Sequence, residues 1–330
     1  MKTFMADPAA AGWVVACCAA VLAAGFAVTR MSLPRLARFA AWTLAVLSVA
    51  GAERICDGQP AGFRMLAIIA AALLGMKAVV AVEAQAAGQP RLSLAAWLRF
   101  AAGWPGMRPA PFARPPAGPL PGAGKLFRLG LRRLLEGLLL LALARLIWGW
   151  GTTNGLPPTG ALVPATMLML TALSLILHFG LFNLIAGGWR WVGIDCRPLF
   201  RAPLASRSLP EFWSKRWNLA FSQMAAIAVY RPLSNRVGRP AAMFAVFLYS
   251  GLVHELAISV PVRAGYGLPF AYFVLHGVLA LAEQRLGLGR FRQDWLRRAW
   301  TAAWLALPLP LLFHPWFLDG IIWPMLGCCS

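Results

Sequence analysis

Long apolar runs recur along the 330-residue chain, near 11–29, 39–52, 65–82, 129–149, 161–186, 240–259, 268–284 and 299–313. Several reach the roughly 20 residues that a helix needs to cross a hydrocarbon core of about 30 Å. A backbone in lipid can satisfy its N–H and C=O groups only within a helix or a closed barrel, and the alternation of barrel strands is missing, so each run is expected to be helical. An all-α, polytopic integral membrane bundle with about eight transmembrane helices follows. With 60% of residues hydrophobic and 13% charged, the chain could hardly cover a water-facing surface.

The formal net charge of +20 invites a nucleic-acid reading, but the cations lie between the apolar runs and not on one soluble face. No nucleic acid is expected as a partner. Of the 31 Lys and Arg residues, 25 fall in 30–38, 84–133, 187–239 and 285–298, regions that the positive-inside rule assigns to the cytoplasm. With eight spans, both ends of the chain then face outward. The first apolar run is followed at once by Arg30, Arg35 and Arg38, as expected of an uncleaved first span. The cysteines Cys17, Cys18, Cys56, Cys196, Cys328 and Cys329 lack CxxC or metal-ligand spacing and read as apolar fillers; no metal is expected. Arg outnumbers Lys 27 to four amid abundant Ala, Gly and Pro, a bias associated with GC-rich bacterial genomes. A bacterial inner membrane is the expected location.

Residues 1–330 read as a single membrane-embedded domain, because the polar stretches are only connections. Residues 91–104 mix Arg91 and Arg99 with Leu, Trp and Phe, the pattern of a cytoplasmic interfacial helix. Seven prolines in 105–121 preclude a helix and predict a surface loop. The uncharged stretch 151–160 predicts a short outer turn. Residues 219–230 are apolar, but twelve of them span only about 18 Å as a helix, too short to cross.

Two segments carry the polar chemistry. Residues 209–218, LPEFWSKRWN, set Phe212, Trp213 and Trp217 among Glu211, Lys215, Arg216 and Asn218, a mixture that also suits an ordinary interfacial belt. His254 lies inside the run FLYSGLVHEL, where an ionisable group must be paired or face a polar cavity. Ser250, four residues earlier, shares its helix face, and Gly251 admits close approach of another backbone. Glu255 points elsewhere, toward a cation near the helix end. His178, His276 and His314 read as core or interfacial histidines.

Taken together, the two segments resemble the wax-synthase branch of the membrane-bound O-acyltransferase family. Phe212, Trp213, Arg216, Trp217 and Asn218 fit a phrase close to S-x-x-x-FW-x-x-RWN, and Ser250, Gly251, His254 and Glu255 fit a downstream SG-x-x-HE. The detailed match covers 199–260. The resemblance implies acyl transfer from acyl-CoA, a co-substrate and not a resident cofactor, to a lipidic alcohol. It also implies His254 as the catalytic base assisted by Asn218, and no further role is carried over; Trp213, Arg216, Trp217 and Ser250, within the same two motifs, are the candidate substrate-binding residues. Neutral imidazole, with a reference pKa of about 6.5, can take a hydroxyl proton as the oxygen attacks a thioester. The Asn218 amide can serve the developing oxyanion. The cationic stretch 187–239 offers Arg207, Lys215, Arg216 and Arg231 to the phosphates of CoA by charge alone. Three rival readings stand beside this one. The acceptor is a glycan or small polar alcohol; the chain is a transporter or lipid flippase whose polar residues line a path; or His178, His254 or His276 supply the axial ligands of a b-type haem.

Overall fold

Helices begin where a cap or a proline supplies what the first turn lacks. Asp7 accepts from Ala9 N at 3.5 Å ahead of α1 (Pro8–Val28), and Pro34 opens α2 (Pro34–Ile55). Proline in a first turn loses no hydrogen bond and arrives with φ already set. Then come α3 (Ala61–Ala86), α4 (Leu94–Ala101), α5 (Ala123–Thr153), α6 (Pro158–Ser174) and α7 (Phe182–Trp191). The chain continues through α8 (Leu209–Glu211), α9 (Leu219–Ala225), α10 (Arg231–Val237), α11 (Arg239–Val262), α12 (Leu268–Leu286) and α13 (Asp294–Ala306). The short helices α14 (Leu309–Leu312), α15 (Pro315–Phe317) and α16 (Trp323–Leu326) complete it. The structure, a computed structural model, describes residues 2–115 and 118–327. Cys328 and Cys329, and Pro116 of the proline-rich stretch, lie outside them.

Among the described residues there is no strand. Six helices among these residues are long and apolar enough to cross a membrane: α1, α2, α3, α5, the continuous stretch Thr159–Trp191, and α11. The broken pair Asp294–Leu312 and Pro315–Leu326 makes a seventh if counted as one span. The chain is thus an all-α polytopic membrane protein, with fewer spans than its eight apolar runs suggest. The run at 268–284 forms α12, whose last turn carries Glu283, Gln284 and Arg285; these dilute its apolar character. Large apolar side chains such as Trp13, Phe39, Val46, Leu139 and Leu146 are exposed, as a lipid solvent permits.

Contacts divide the chain into two units. Among the described residues the larger holds 4–113 and 201–317; the smaller holds 2–3, 114–115, 118–200 and 318–327. Within the larger unit α3 is buried along most of its length, whereas α1 is buried only at Ala10, Val21 and Gly25. A Cβ on Gly75 would sit 2.7 Å from Ala45 Cα, so α2 and α3 touch backbone to backbone, as small residues allow in membranes. Lys77 is fully buried and donates to the carbonyls of Phe100 at 3.0 Å and Gly106 at 2.6 Å. It thereby fixes the end of α4. The interfacial helix expected at 91–104 is this shorter α4, with Ala96, Trp97, Phe100 and Ala101 buried. The loop after it places one 3₁₀ turn, Ala110–Phe112, with Phe112 5.7 Å from Phe100.

The smaller unit rests on a stripe on α5. Ala123, Gly130, Gly137, Ala144 and Gly151 are buried at seven-residue intervals. A Cβ on Gly137 would lie 2.6 Å from Ile176, and one on Gly151 2.4 Å from Ala161. The heptad spacing keeps one seam of α5 against the antiparallel stretch 158–191. That stretch is interrupted by the π-helical turn Leu175–Leu181, where His178 meets the Ser174 hydroxyl at 3.2 Å and the Phe200 ring at 4.5 Å.

Candidate active site

The segment LPEFWSKRWN is shaped by its own polar residues. Ser208 accepts from Glu211 N at 3.2 Å, while the Glu211 carboxylate accepts from Arg207 N at 2.9 Å. This reciprocal pair starts α8 in the manner of a capping box. Burial would raise the Glu211 carboxyl, but the Arg207 N–H and the Arg216 guanidinium outweigh it and hold the group below its ordinary range. The chain then widens into a π-helical turn, Phe212–Arg216, closed by Trp217 N on Phe212 O at 2.9 Å. Trp217 is extended, and its ring stacks on Phe212 at 5.5 Å.

Asn218 follows in the left-handed region at φ +42°, a conformation that asparagine tolerates better than most residues. Its Oδ1 accepts from Phe221 N at 3.2 Å and caps α9. The amide nitrogen makes no hydrogen bond among the described residues, so its two donors stay free. The short apolar segment after it forms α9 and a second π-helical turn, Ala226–Tyr230, with Leu219, Ala220, Met224 and Ala225 buried.

His254 stands on α11. Its Nδ1 lies 2.7 Å from the backbone carbonyl of Ser250. A carbonyl oxygen only accepts, so Nδ1 carries the proton, and in the neutral ring the lone pair is left on Nε2. The buried Ser250 side chain shares the face as expected, yet it is its main chain that orients the imidazole. Phe273 of α12 lies against the ring at 4.2 Å and Phe221 at 6.1 Å. Phe273 also meets Trp213 at 5.3 Å. The two motifs are therefore brought together through aromatic rings: Trp213 touches Phe273, Phe273 and Phe221 touch His254, and Asn218 caps the turn that carries Phe221.

Gly251 behaves as expected, since a Cβ there would come 2.7 Å from Phe270 Cδ2 and 3.1 Å from Phe270 Cα. Glu255 does not face a cation. Its Oε1 accepts from Gly267 N and Phe270 N, both at 2.9 Å, which satisfies orphan donors at the start of α12. Arg216 is committed to Glu211 at 2.7 Å and to the carbonyls of Arg201 and Ala202, so it braces the loop. Arg207 pairs with Asp294 at 2.8 Å. Of the four cations proposed for phosphate, Lys215 and Arg231 are exposed and have no acidic partner among the described residues.

His276 is buried with Nδ1 3.0 Å from Tyr272 O and Nε2 3.1 Å from Trp304 O. His314 accepts from Phe317 N at 3.1 Å and meets Ser259 Oγ at 3.3 Å. Both are core histidines with polar partners that the sequence did not reveal. Phe221, Phe273 and Glu255 complete the surroundings of His254. The first two carried no signal beyond being apolar at a helical position, and Glu255 signalled through its place in the SG-x-x-HE phrase, though not its role at the start of α12.

Residues 196–275 match the membrane-bound O-acyl transferase family. A probable long-chain-alcohol O-fatty-acyltransferase 3 of Arabidopsis thaliana is 30% identical over 178 residues, 49% of this chain and 52% of its own. The long-chain-alcohol O-fatty-acyltransferase of Simmondsia chinensis is 34% identical over 101 residues, 28% of this chain and 29% of its own. The chain thus matches about half the length of the first relative and less of the second. The two motifs of the site, Phe212–Asn218 and Ser250–Glu255, both fall inside the family match. Over 196–275 the chain is thus similar to the membrane-bound O-acyl transferase family, and over partly longer stretches to plant long-chain-alcohol O-fatty-acyltransferases.

Proposed function

We propose that the chain is an O-acyltransferase that moves a long acyl group from acyl-CoA to a lipidic alcohol, with His254 as general base. The observation that carries the reading is the Nδ1 anchor on Ser250 O at 2.7 Å, which leaves Nε2 to accept a proton. The alcohol oxygen attacks the thioester carbon while its proton passes to Nε2. The tetrahedral oxyanion collapses, the C–S bond breaks, and the CoA sulfur takes the proton from His254, giving ester and free CoA thiol without a covalent acyl-enzyme. A positioned base is worth about 10² to 10⁴ in rate, and an amide donor at the oxyanion, the role assigned to the free Asn218 Nδ2, about 10² to 10³. Trp213 and the rings beside it form the apolar wall for the acyl chain. Lys215 and Arg231, exposed and without acidic partners, are assigned to the CoA phosphates.

Residence in a bacterial inner membrane is proposed from the Arg-to-Lys imbalance alone; the relatives named above are plant proteins and lend it no support. The test of the activity is purified protein in lipid nanodiscs with radiolabelled palmitoyl-CoA and a panel of long-chain alcohols, sterols, diacylglycerols and sugars. Labelled ester with a lipidic alcohol is the expected product. Label that leaves acyl-CoA for none of the lipidic alcohols overturns the reading, and ester with a sugar alone moves the acceptor to a polar alcohol.

A further inference from the structure

The face of α12 that touches the site continues beyond it. Phe273, His276, Ala280 and Glu283 are all buried, and their spacing of three, four and three places them on one stripe of the helix. Trp213 packs on the first two, 5.3 Å from Phe273 and 5.5 Å from His276. Four residues before Trp213, the backbone N–H of Leu209 donates to Glu283 Oε2 at 2.9 Å, and the other carboxylate oxygen accepts from Trp300 Nε1 at 2.9 Å. Glu283 is only 6% exposed and Leu209 is fully buried. No cation pairs with this carboxylate among the described residues, in a chain with 27 Arg. A buried carboxyl held by two neutral donors and no cation is an expensive choice unless it fixes something. What it fixes is the start of the segment Leu209–Asn218, whose first amide would otherwise be an orphan donor.

We propose that Glu283 is a positioning residue for acyl transfer: its carboxylate sets the register of Leu209–Asn218 along α12, so that Trp213 closes on Phe273 and Asn218 caps the turn that holds Phe221 against His254. The proposal rests on the acyl-transfer reading of His254 and Asn218, but half of its test does not. In Glu283→Gln the side chain keeps its size and one acceptor, while its NH₂ faces one of two N–H donors that need an acceptor. Amide hydrogen exchange across 209–218, measured by mass spectrometry in nanodiscs, is expected to quicken at least about tenfold. The rate of ester formation is expected to fall roughly 10- to 100-fold, the scale of a small misplacement of catalytic groups. Glu283→Gln with Trp300→Phe removes the opposed donor, lets the Gln carbonyl serve Leu209, and is expected to regain at least about fivefold over Glu283→Gln alone, roughly a kcal/mol of recovered positioning. Trp300→Phe alone leaves Leu209 held and stays within about threefold of wild type in exchange and rate, a margin under one kcal/mol.

Wild-type exchange in Glu283→Gln overturns the proposal, as does a double variant no better than the single one. If Glu283→Gln is not recovered as folded protein, a large loss in Trp300→Phe, with 209–218 loosened, overturns it too. Absence of ester from the wild-type protein would sink the acyl-transfer reading, and the exchange measurement would still decide whether Glu283 holds the segment.

Discussion

Gly251→Ala tests how tightly α12 must sit on α11 for His254 to work. The added Cβ would lie 2.7 Å from Phe270 Cδ2, about 0.7 Å inside the 3.4 Å at which ordinary contact begins, and 3.1 Å from Phe270 Cα. The ring can swing aside, but the backbone must retreat by about 0.3 Å, and Glu255 holds that same residue by its N–H at 2.9 Å. Overpacking of this kind costs about 1 to 3 kcal/mol. The displaced helix carries Phe273, which lies 4.2 Å from the His254 ring. A shift of a few tenths of an ångström there is expected to lower turnover roughly tenfold, well short of the hundredfold scale of a full ångström. Thermal unfolding followed by size-exclusion fluorescence, together with ester formation, reads both effects. Gly12→Ala is the control, because nothing lies within 4 Å of a Cβ at Gly12, and replacing a helical glycine there is expected to stabilise by about 0.5 to 1 kcal/mol. Wild-type stability and wild-type turnover in Gly251→Ala would refute the packing argument.

Asn218→Asp keeps the cap acceptor for Phe221 N and removes the two amide donors, so the protein is expected to fold while ester formation drops about 10² to 10³-fold; an active Asn218→Asp protein would remove the oxyanion role. Lys215→Glu with Arg231→Glu is expected to raise the KM for acyl-CoA about tenfold or more at low salt and progressively less at high salt, with the KM for the alcohol unchanged; equal effects on both substrates would count against phosphate binding. The lowered Glu211 carboxyl gives a stability contribution that is whole above its ordinary value of 4.5 and is lost as pH falls through the lower folded value. Wild-type protein should therefore lose thermal stability below about pH 4.5 more steeply than Glu211→Gln, and parallel curves would show that the Arg207 and Arg216 contacts contribute nothing. Lys77→Met leaves the carbonyls of Phe100, Trp104 and Gly106 without their buried donor, and is expected to destabilise by several kcal/mol; recovery of folded protein at wild-type yield would contradict that.

Apolar length and the missing barrel alternation made the membrane bundle legible in the sequence, because lipid leaves the backbone so few alternatives. The number of spans was less legible, since the polar last turn of α12 lowers its apolar average and the chain bends sharply between Leu312 and Pro315. His254 stood out as a polar residue in apolar company and Asn218 through the RWN phrase of the resemblance; they are joined by Phe221, whose N–H bonds Asn218 and whose ring faces His254. Nothing local marked Phe273 as the ring that would lie on His254, nor Glu283 as the acceptor for an amide 74 residues earlier. Such contacts depend on helix register, which a single sequence does not print. The small residues of the α5 seam repeat every seven positions, a local pattern that a single sequence does carry but that gained its meaning only from the packing. Arg216 is a cation whose charge suggested a ligand and whose geometry reveals a brace that the sequence did not mark.

His254 carries the central claim, and the sharpest measurement is single-turnover transfer of radiolabelled palmitate from acyl-CoA to hexadecanol by wild type and His254→Ala in nanodiscs, with acyl-CoA binding measured in parallel. Wild type should yield ester and CoA thiol in equal amounts, and His254→Ala should bind acyl-CoA normally yet transfer at least about 10²-fold more slowly. Transfer at the wild-type rate in His254→Ala would contradict the assignment of the base.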